Sequence, residues 1–371
     1  MVKPDYLVTA DYFNDLLLQN ISFLDVRAEA EFVKGCMPHA VNLPILNNHE
    51  RHLVGTCYKQ RGQQAAIQLG HELVGGELKA SRVQQWCEHV VKKPNTHVYC
   101  WRGGMRSRLA QQWMSEAGVD VPLIEGGYKA LRRSLMAIID NAARNVPMIR
   151  IGGKTGVAKT LLIDEINCSI DLEKYANHRG SSFGRMVNQQ PSQSNFEHML
   201  AVNLLRKTRY TSNKKTLFVE DESCSIGVIG IPAKFYEAMR LSPLAVVEMP
   251  LEFRVQRVLK EYIIDMLAAY EAEDIENGFE NFSNYLIESL LRIQKRLGLE
   301  RHRHANELLA KALKMQLSTG DVQAHEAWIT LILSEYYDPM YAYQIKKNNT
   351  SVVFRGSYAE VLEWARQFDM E

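Results

Sequence analysis

Residues 97–108 read HVYCWRGGMRSR, a short β-type run that delivers a cysteine into a glycine-rich, basic loop. A helical stretch follows, SRLAQQWMSEAG (107–118). It has Leu109, Trp113 and Ala117 on one face and Gly118 as its stop signal. In such a strand–loop–helix unit, successive backbone N–H groups and the helix N-terminus form an anion nest around the thiol. Arg102 and Arg106 add positive charge, and both effects favour thiolate, the nucleophilic form. Gly103 and Gly104 allow the loop to curl. Cys100 is therefore the candidate catalytic residue, with Trp101, Arg102, Gly103, Gly104, Arg106 and Ser107 as its anion loop. The competing reading is a buried structural cysteine between solvent-facing arginines.

The surrounding chain alternates short strands and helices. SFLDV (22–26), AVNLP (40–44) and VPLIEGG (121–127) read as strands, so residues 1–140 form a first α/β domain. A boundary falls near 140–147, and MIRIGG (148–153) opens a second α/β domain over 146–371. TLFVED (216–221) and LAVVEM (244–249) are its later strands, and the pattern turns helical over about 251–334.

The second domain begins with RIGGKTGVAKTLL (150–162), close to the phosphate-binding pattern G-x-x-x-x-G-K-[ST]. Gly153, Thr155, Gly156, Lys159 and Thr160 are the candidate phosphate ligands, and Ala158 replaces the expected glycine. Its methyl group either crowds the loop or is harmless at near-helical angles. LFVEDES (217–223) ends a strand in acids. Asp221 is expected to hold Mg²⁺ through water, with Glu220 or Glu222 orienting a water or the metal shell. In HRGSSFG (178–184), Arg179, Ser181 and Ser182 touch substrate or merely form a polar turn. Arg254 and Arg257 lie three apart on one helical face, suited to a diphosphate or simply to solvent.

At 371 residues with 46% hydrophobic and 23% charged residues, the chain has a soluble globular composition. No apolar run nears the roughly 20 residues that span a bilayer, and MVKPDYLVTADYF is not a secretory signal, so no membrane partner and a cytoplasmic location are expected. Six cysteines without Cys-x-x-Cys spacing argue against a zinc ribbon and for free thiols. Net charge is only +1, so bulk electrostatics does not announce nucleic acid. Basic clusters at Arg206, Lys207 and Arg209, at Lys214 and Lys215, and at Arg292, Lys295, Arg296, Arg301 and Arg303 are candidates for a basic surface.

FLDVRAEAEFVKGCMPHAVNLP (23–44), the Cys100 loop and LIEGGYKAL (123–131) together resemble a rhodanese domain. The stretch Gly35-Cys36-Met37-Pro38-His39-Ala40 departs from the usual Gly-His-Ile-Pro-Gly-Ala. The longer Cys-x5-Arg loop is similar to that of the rhodanese-like dual-specificity phosphatases, and a wider loop holds a larger anion. Fused to a P-loop domain, the whole chain resembles the bacterial tRNA 2-selenouridine synthases. The matching stretches include ERHLVGTCYKQRGQQAAIQLG (50–70), CWRGGMRS (100–107), HRGSSFG, QPSQSNFE (190–197) and YYDPMY (336–341). The resemblance implies that wobble 2-thiouridine in tRNA is S-geranylated by geranyl diphosphate and then converted to 2-selenouridine by selenophosphate. It makes Cys100 the selenium carrier, through a Cys–Se intermediate or by activating selenophosphate directly. It also makes Lys159, Thr160 and the loop amides the grip on diphosphate, with Mg²⁺ near Asp221 and no prosthetic group. Two other readings stand beside it. One is a rhodanese-like phosphatase or sulfurtransferase fused to an NTPase, and the other a non-enzymatic tRNA- or nucleotide-binding regulator.

Overall fold

The computed structural model describes residues 7–208, 215–347 and 351–368. Arg209 and Lys214 lie outside the described residues. The chain folds as two α/β units.

The first unit carries five short strands: β1 (Leu7–Val8), β2 (Phe23–Asp25), β3 (Ala40–Asn42), β4 (His97–Tyr99) and β5 (Leu123–Ile124). All pair in parallel, in the order β1-β5-β4-β2-β3. Parallel sheets are covered on both faces, and the central strands β2 and β4 are accordingly almost wholly buried. Leu24, Val98 and Leu123 are buried in a core with Trp86 and Trp113, whose rings stack at 6.2 Å.

Beyond the end of β2, Arg27 turns back on Asp25. Its Nη2 lies 2.6 Å from Asp25 Oδ2, Nε donates to both carboxylate oxygens at 3.0 Å, and both side chains are fully buried. Nη2 also donates to the Gly35 carbonyl, and the guanidinium sits 4.0 Å from the Tyr128 ring centroid. The pair ties the strand end to the Gly35–Ala40 segment.

Residues 191–206, placed in the second domain by the sequence pattern, pack instead with this first unit. The helix Gln193–Thr208 makes the contacts. Asn195 Oδ1 accepts from the Cys36 amide at 2.9 Å, and Glu197 pairs with Arg132 at 2.5 Å. His198 Nδ1 donates to the Cys36 carbonyl at 2.8 Å, while Arg132 donates to its Nε2. Burial, aided by the Arg132 and Arg27 charges, pushes the imidazole down to about 4, so it is neutral. The polar stretch QPSQSNFE is thus mainly the start of a packed helix.

The second unit builds a parallel sheet from β6 (Met148–Gly153), β7 (Ser169–Ile170) and β8 (Leu217–Glu220), followed after the small hairpin β9 (Ser225–Ile226) and β10 (Ile229–Gly230) by β11 (Leu244–Val247) and β12 (Val352–Gly356). The order is β12-β11-β6-β8-β7, with β6 central. A helical layer runs from Leu251 to Lys347, past the expected end at 334. It closes on its own core, which includes Phe282, Tyr285, Leu290, Leu309 and Trp328. All six cysteines are free, and no described helix is long and apolar enough to cross a membrane.

Replacing Arg27 with Met leaves the Asp25 carboxylate buried without its partner. We expect a loss of about 3–5 kcal/mol in urea unfolding of the full chain. The double change Asp25→Leu with Arg27→Met should lose clearly less.

Candidate functional site

Each unit holds one site, and both lie where parallel strands end. In the first, β4 stops at Tyr99 and Cys100 enters the loop. The first turn of the helix Gly127–Asn145 clamps it from behind. The Tyr128 and Lys129 amides donate to the Cys100 and Trp101 carbonyls at 2.9 and 3.0 Å. This approach requires a bare backbone, because a Cβ on Gly127 would stand 2.3 Å from the Cys100 oxygen. Gly103 takes a φ of +62°, and Gly104 leads into the helix Met105–Glu116. The Ser107 hydroxyl donates to Cys100 Sγ at 3.1 Å. The thiol is thereby held beside a helix N-terminus, a place that favours an anion.

The charges around the thiol differ from the sequence expectation. Arg106 does not serve the thiol, because its guanidinium makes two bonds to Glu31, at 2.7 and 3.2 Å. Burial raises the Glu31 carboxyl, but the Arg106 hydrogen bond and charge outweigh it and hold the group below its ordinary range. Arg102 is exposed. Cys100 is only 3% exposed, within the apolar cluster of Leu24, Val98 and Ala110. Arg27, which pattern alone leaves on the surface, is a buried support of this region. Trp101, 40% exposed, stacks on Tyr128 at 5.3 Å.

The second site is a cleft of about 780 Å³ at the end of β6. Thr155, Gly156, Lys159 and Thr160 line it, and Lys159 Nζ donates to the Gly153 carbonyl at 3.3 Å. Gly156 packs against the Arg254 backbone, where a Cβ would meet the Arg254 oxygen at 2.8 Å. Ala158 is not near-helical. It stands at φ 66°, ψ 38° as the N-cap of the helix Lys159–Glu165, a left-handed geometry that costs a residue with a Cβ roughly 1–2 kcal/mol.

The acid that faces the threonine is Glu220, not Asp221. Thr160 Oγ1 donates to Glu220 Oε1 and to Glu173 Oε2, each at 3.4 Å. Asp221 also lines the cleft, with Glu222, but is paired with Arg150 at 2.5 Å and Arg240 at 3.1 Å. Arg150 is itself buried, so this pair is structural. Burial and then the neighbouring Glu173 charge raise Glu220 well above the ordinary carboxylate range. Burial and the Glu222 charge do the same for Glu173. Among the described residues no three acids, histidines or cysteines form a ready-made metal cage. A hydroxyl with one or two carboxylates is nevertheless the oxygen set that suits Mg²⁺, which keeps waters and takes phosphate oxygens.

The arginine pair of the sequence reading divides. Arg257 lines the cleft and pairs with Glu261. Arg254 is buried away from it, bound to Asp338 through two bonds at 2.7 and 2.8 Å and to the Thr155 carbonyl at 3.3 Å. It braces the phosphate loop. Arg179, Ser181 and Ser182 line the cleft. Arg179 donates to the Glu261 carbonyl, and Ser182 supplies its carbonyl to Arg292. Of the other basic residues, Arg296 lines the cleft and Arg301 pairs with Glu335. Glu173 was missed in the sequence and carries no local motif, whereas Asp338 lies in the stretch YYDPMY, whose letters assigned it no role.

Residues 146–371 match the family described as the tRNA 2-selenouridine synthase AAA domain, and residues 9–134 match the rhodanese-like domain. The chain belongs to the tRNA 2-selenouridine synthase family. Relatives carrying that name include one from Shewanella piezotolerans (strain WP3 / JCM 13877). It is 46% identical over 362 residues, covering 97% of this chain and 99% of the relative. Another from Pseudomonas fluorescens (strain Pf0-1) is 45% identical, covering 96% of each chain. One from Marinobacter nauticus (strain ATCC 700491 / DSM 11845 / VT8) is 43% identical, covering 98% of each.

Two outcomes are expected. Because Glu220 is raised, it holds its proton in the folded chain above about pH 4.3, where the unfolded chain has lost it, and its own contribution to stability falls as pH rises from there. In EDTA, Glu220→Gln should melt above the parent protein at pH 8, and the gap should close near pH 4. Ala158→Gly should relieve the left-handed strain and stabilise the protein by up to about 1 kcal/mol, read by thermal unfolding.

Proposed function

We propose that this protein modifies tRNA, converting wobble 2-thiouridine to 2-selenouridine in two steps. In the first, the base sulfur attacks the terminal carbon of geranyl diphosphate. A C–S bond forms, the C–O bond breaks and diphosphate leaves. In the second, the selenium of selenophosphate attacks C2 of the base. The C2–Se bond forms, and the C2–S bond breaks to release geranylthiol. Water then takes the phosphoryl group from selenium as phosphate. Alkylation is what makes the sulfur a competent leaving group.

The observation that carries this reading is the presence, in a chain of this family, of a thiol loop at Cys100 and a phosphate cleft at Lys159. Lys159 and the loop amides would hold the diphosphate as its charge develops. Thr160 and Glu220 would hold Mg²⁺, which supplies charge neutralisation at the phosphates when bound. Arg254, through Asp338 and the Thr155 carbonyl, keeps the loop in shape for that ligand. At the other loop, Arg102 and the helix start would favour the selenophosphate anion, which Cys100 would activate directly for attack on C2.

The purified protein is incubated with 2-thiouridine tRNA, geranyl diphosphate and selenophosphate, and the digested nucleosides are measured by mass spectrometry. Selenouridine should form. Cys100→Ala should accumulate the geranylated nucleoside and make no selenouridine, whereas Lys159→Ala should slow geranylation on the order of 100-fold. Loss of both products in Cys100→Ala would show that the steps do not divide between the two loops.

A further inference from the structure

The first unit contains a cavity of about 270 Å³ beside the cysteine loop. The helical segment Asn48–Leu73, broken at Gly62, walls one side with Val54 before the break and Ile67 after it, and the helix Met105–Glu116 walls the other with Met105, Leu109 and Trp113. The second of these helices is the one whose Ser107 donates to Cys100 Sγ. Cavity and thiol therefore share one rigid element. They also share a core, because Trp113 and Ile45 of the cavity wall belong to the buried cluster that contains Cys100. The cavity is reachable, with Tyr58 58% and Met105 44% exposed at its walls.

Its chemistry selects a class of ligand. The walls are mostly hydrocarbon, and their cation, Arg106, is already held by Glu31. A phosphate placed there would meet the side chains of Tyr58, Gln63 and His71 but no unpaired arginine or lysine, against a wall that is otherwise hydrocarbon. The volume falls at the small end of ligand pockets, which span roughly 300–1,000 Å³. That is room for a short branched hydrocarbon.

We propose that this cavity binds the alkyl chain carried on the sulfur of the tRNA base during the selenium step. The assignment rests on the two-step reaction proposed above. The chain acts as a handle: seated between the two helices, it brings C2 of the base to the loop that holds Cys100. It also gives the selenium step a means to choose the alkylated base over free 2-thiouridine.

The test measures binding and turnover separately, on the full chain. Equilibrium dialysis compares 2-thiouridine nucleosides carrying S-methyl, five-carbon S-prenyl and S-geranyl groups, without selenophosphate. Binding should tighten with chain length, by at least about 100-fold from methyl to geranyl. Ile67→Glu should abolish that gain and Ile67→Val should keep it, with folding verified by thermal unfolding. Tyr58→Glu, at an exposed part of the wall, provides a second variant should Ile67→Glu not fold. Binding that ignores chain length, or a geranyl gain that survives the glutamate variants, overturns the assignment. Turnover with selenophosphate tests the reaction instead. Chain-length-dependent binding that is lost in the glutamate variants upholds the cavity even if no selenouridine forms, and only the reaction then fails.

Discussion

Parallel strand pairing decides where this protein can do chemistry. In a parallel sheet every strand ends on the same side, so the loops that follow are gathered at one edge. Register then chooses neighbours. Asp25 pairs with Tyr99, which puts the buried Asp25–Arg27 pair next to the strand that delivers Cys100. Ile151 pairs with Glu220, which sets an acid beside the phosphate loop. The second unit applies the same constraint as the first with a different payload, a glycine-rich loop in place of a thiol.

The cleft of the second unit tolerates features that would be faults elsewhere. Burial raises Glu173, Glu220 and Glu222 above the ordinary carboxylate range, and the neighbouring charges of Glu222 on Glu173 and of Glu173 on Glu220 add to it. Ala158 sits in a conformation that glycine takes more readily. Such local conflicts are stable only because the surroundings over-determine them. Here the bracing comes from Arg254, held by Asp338 and the Thr155 carbonyl, and from the packed sheet beneath.

The sequence revealed what is local. The cysteine loop, the phosphate loop and the main strands were legible because glycine spacing and apolar runs follow from short-range sterics. What it concealed depends on partners far along the chain. Glu220 and Asp221 are adjacent, yet side chains alternate along a strand, and only the sheet determines which of them faces Thr160. Arg106 looked like a thiol-activating charge until Glu31, 75 residues earlier, claimed it. Arg254 and Arg257 share a helix, but Asp338 draws one inward. Ala158 reads as a methyl group in the wrong place, and its backbone angle is invisible in the letters.

The helix Gln193–Thr208 has a further consequence. It belongs by sequence to the second half and by packing to the first, so the backbone passes between the units at 140/141, 190/191 and 206/207. A gene fragment ending at residue 140 would leave the Cys36 carbonyl without His198 and Arg132 without Glu197. The two halves are therefore not modules to be swapped by cutting at the obvious seam.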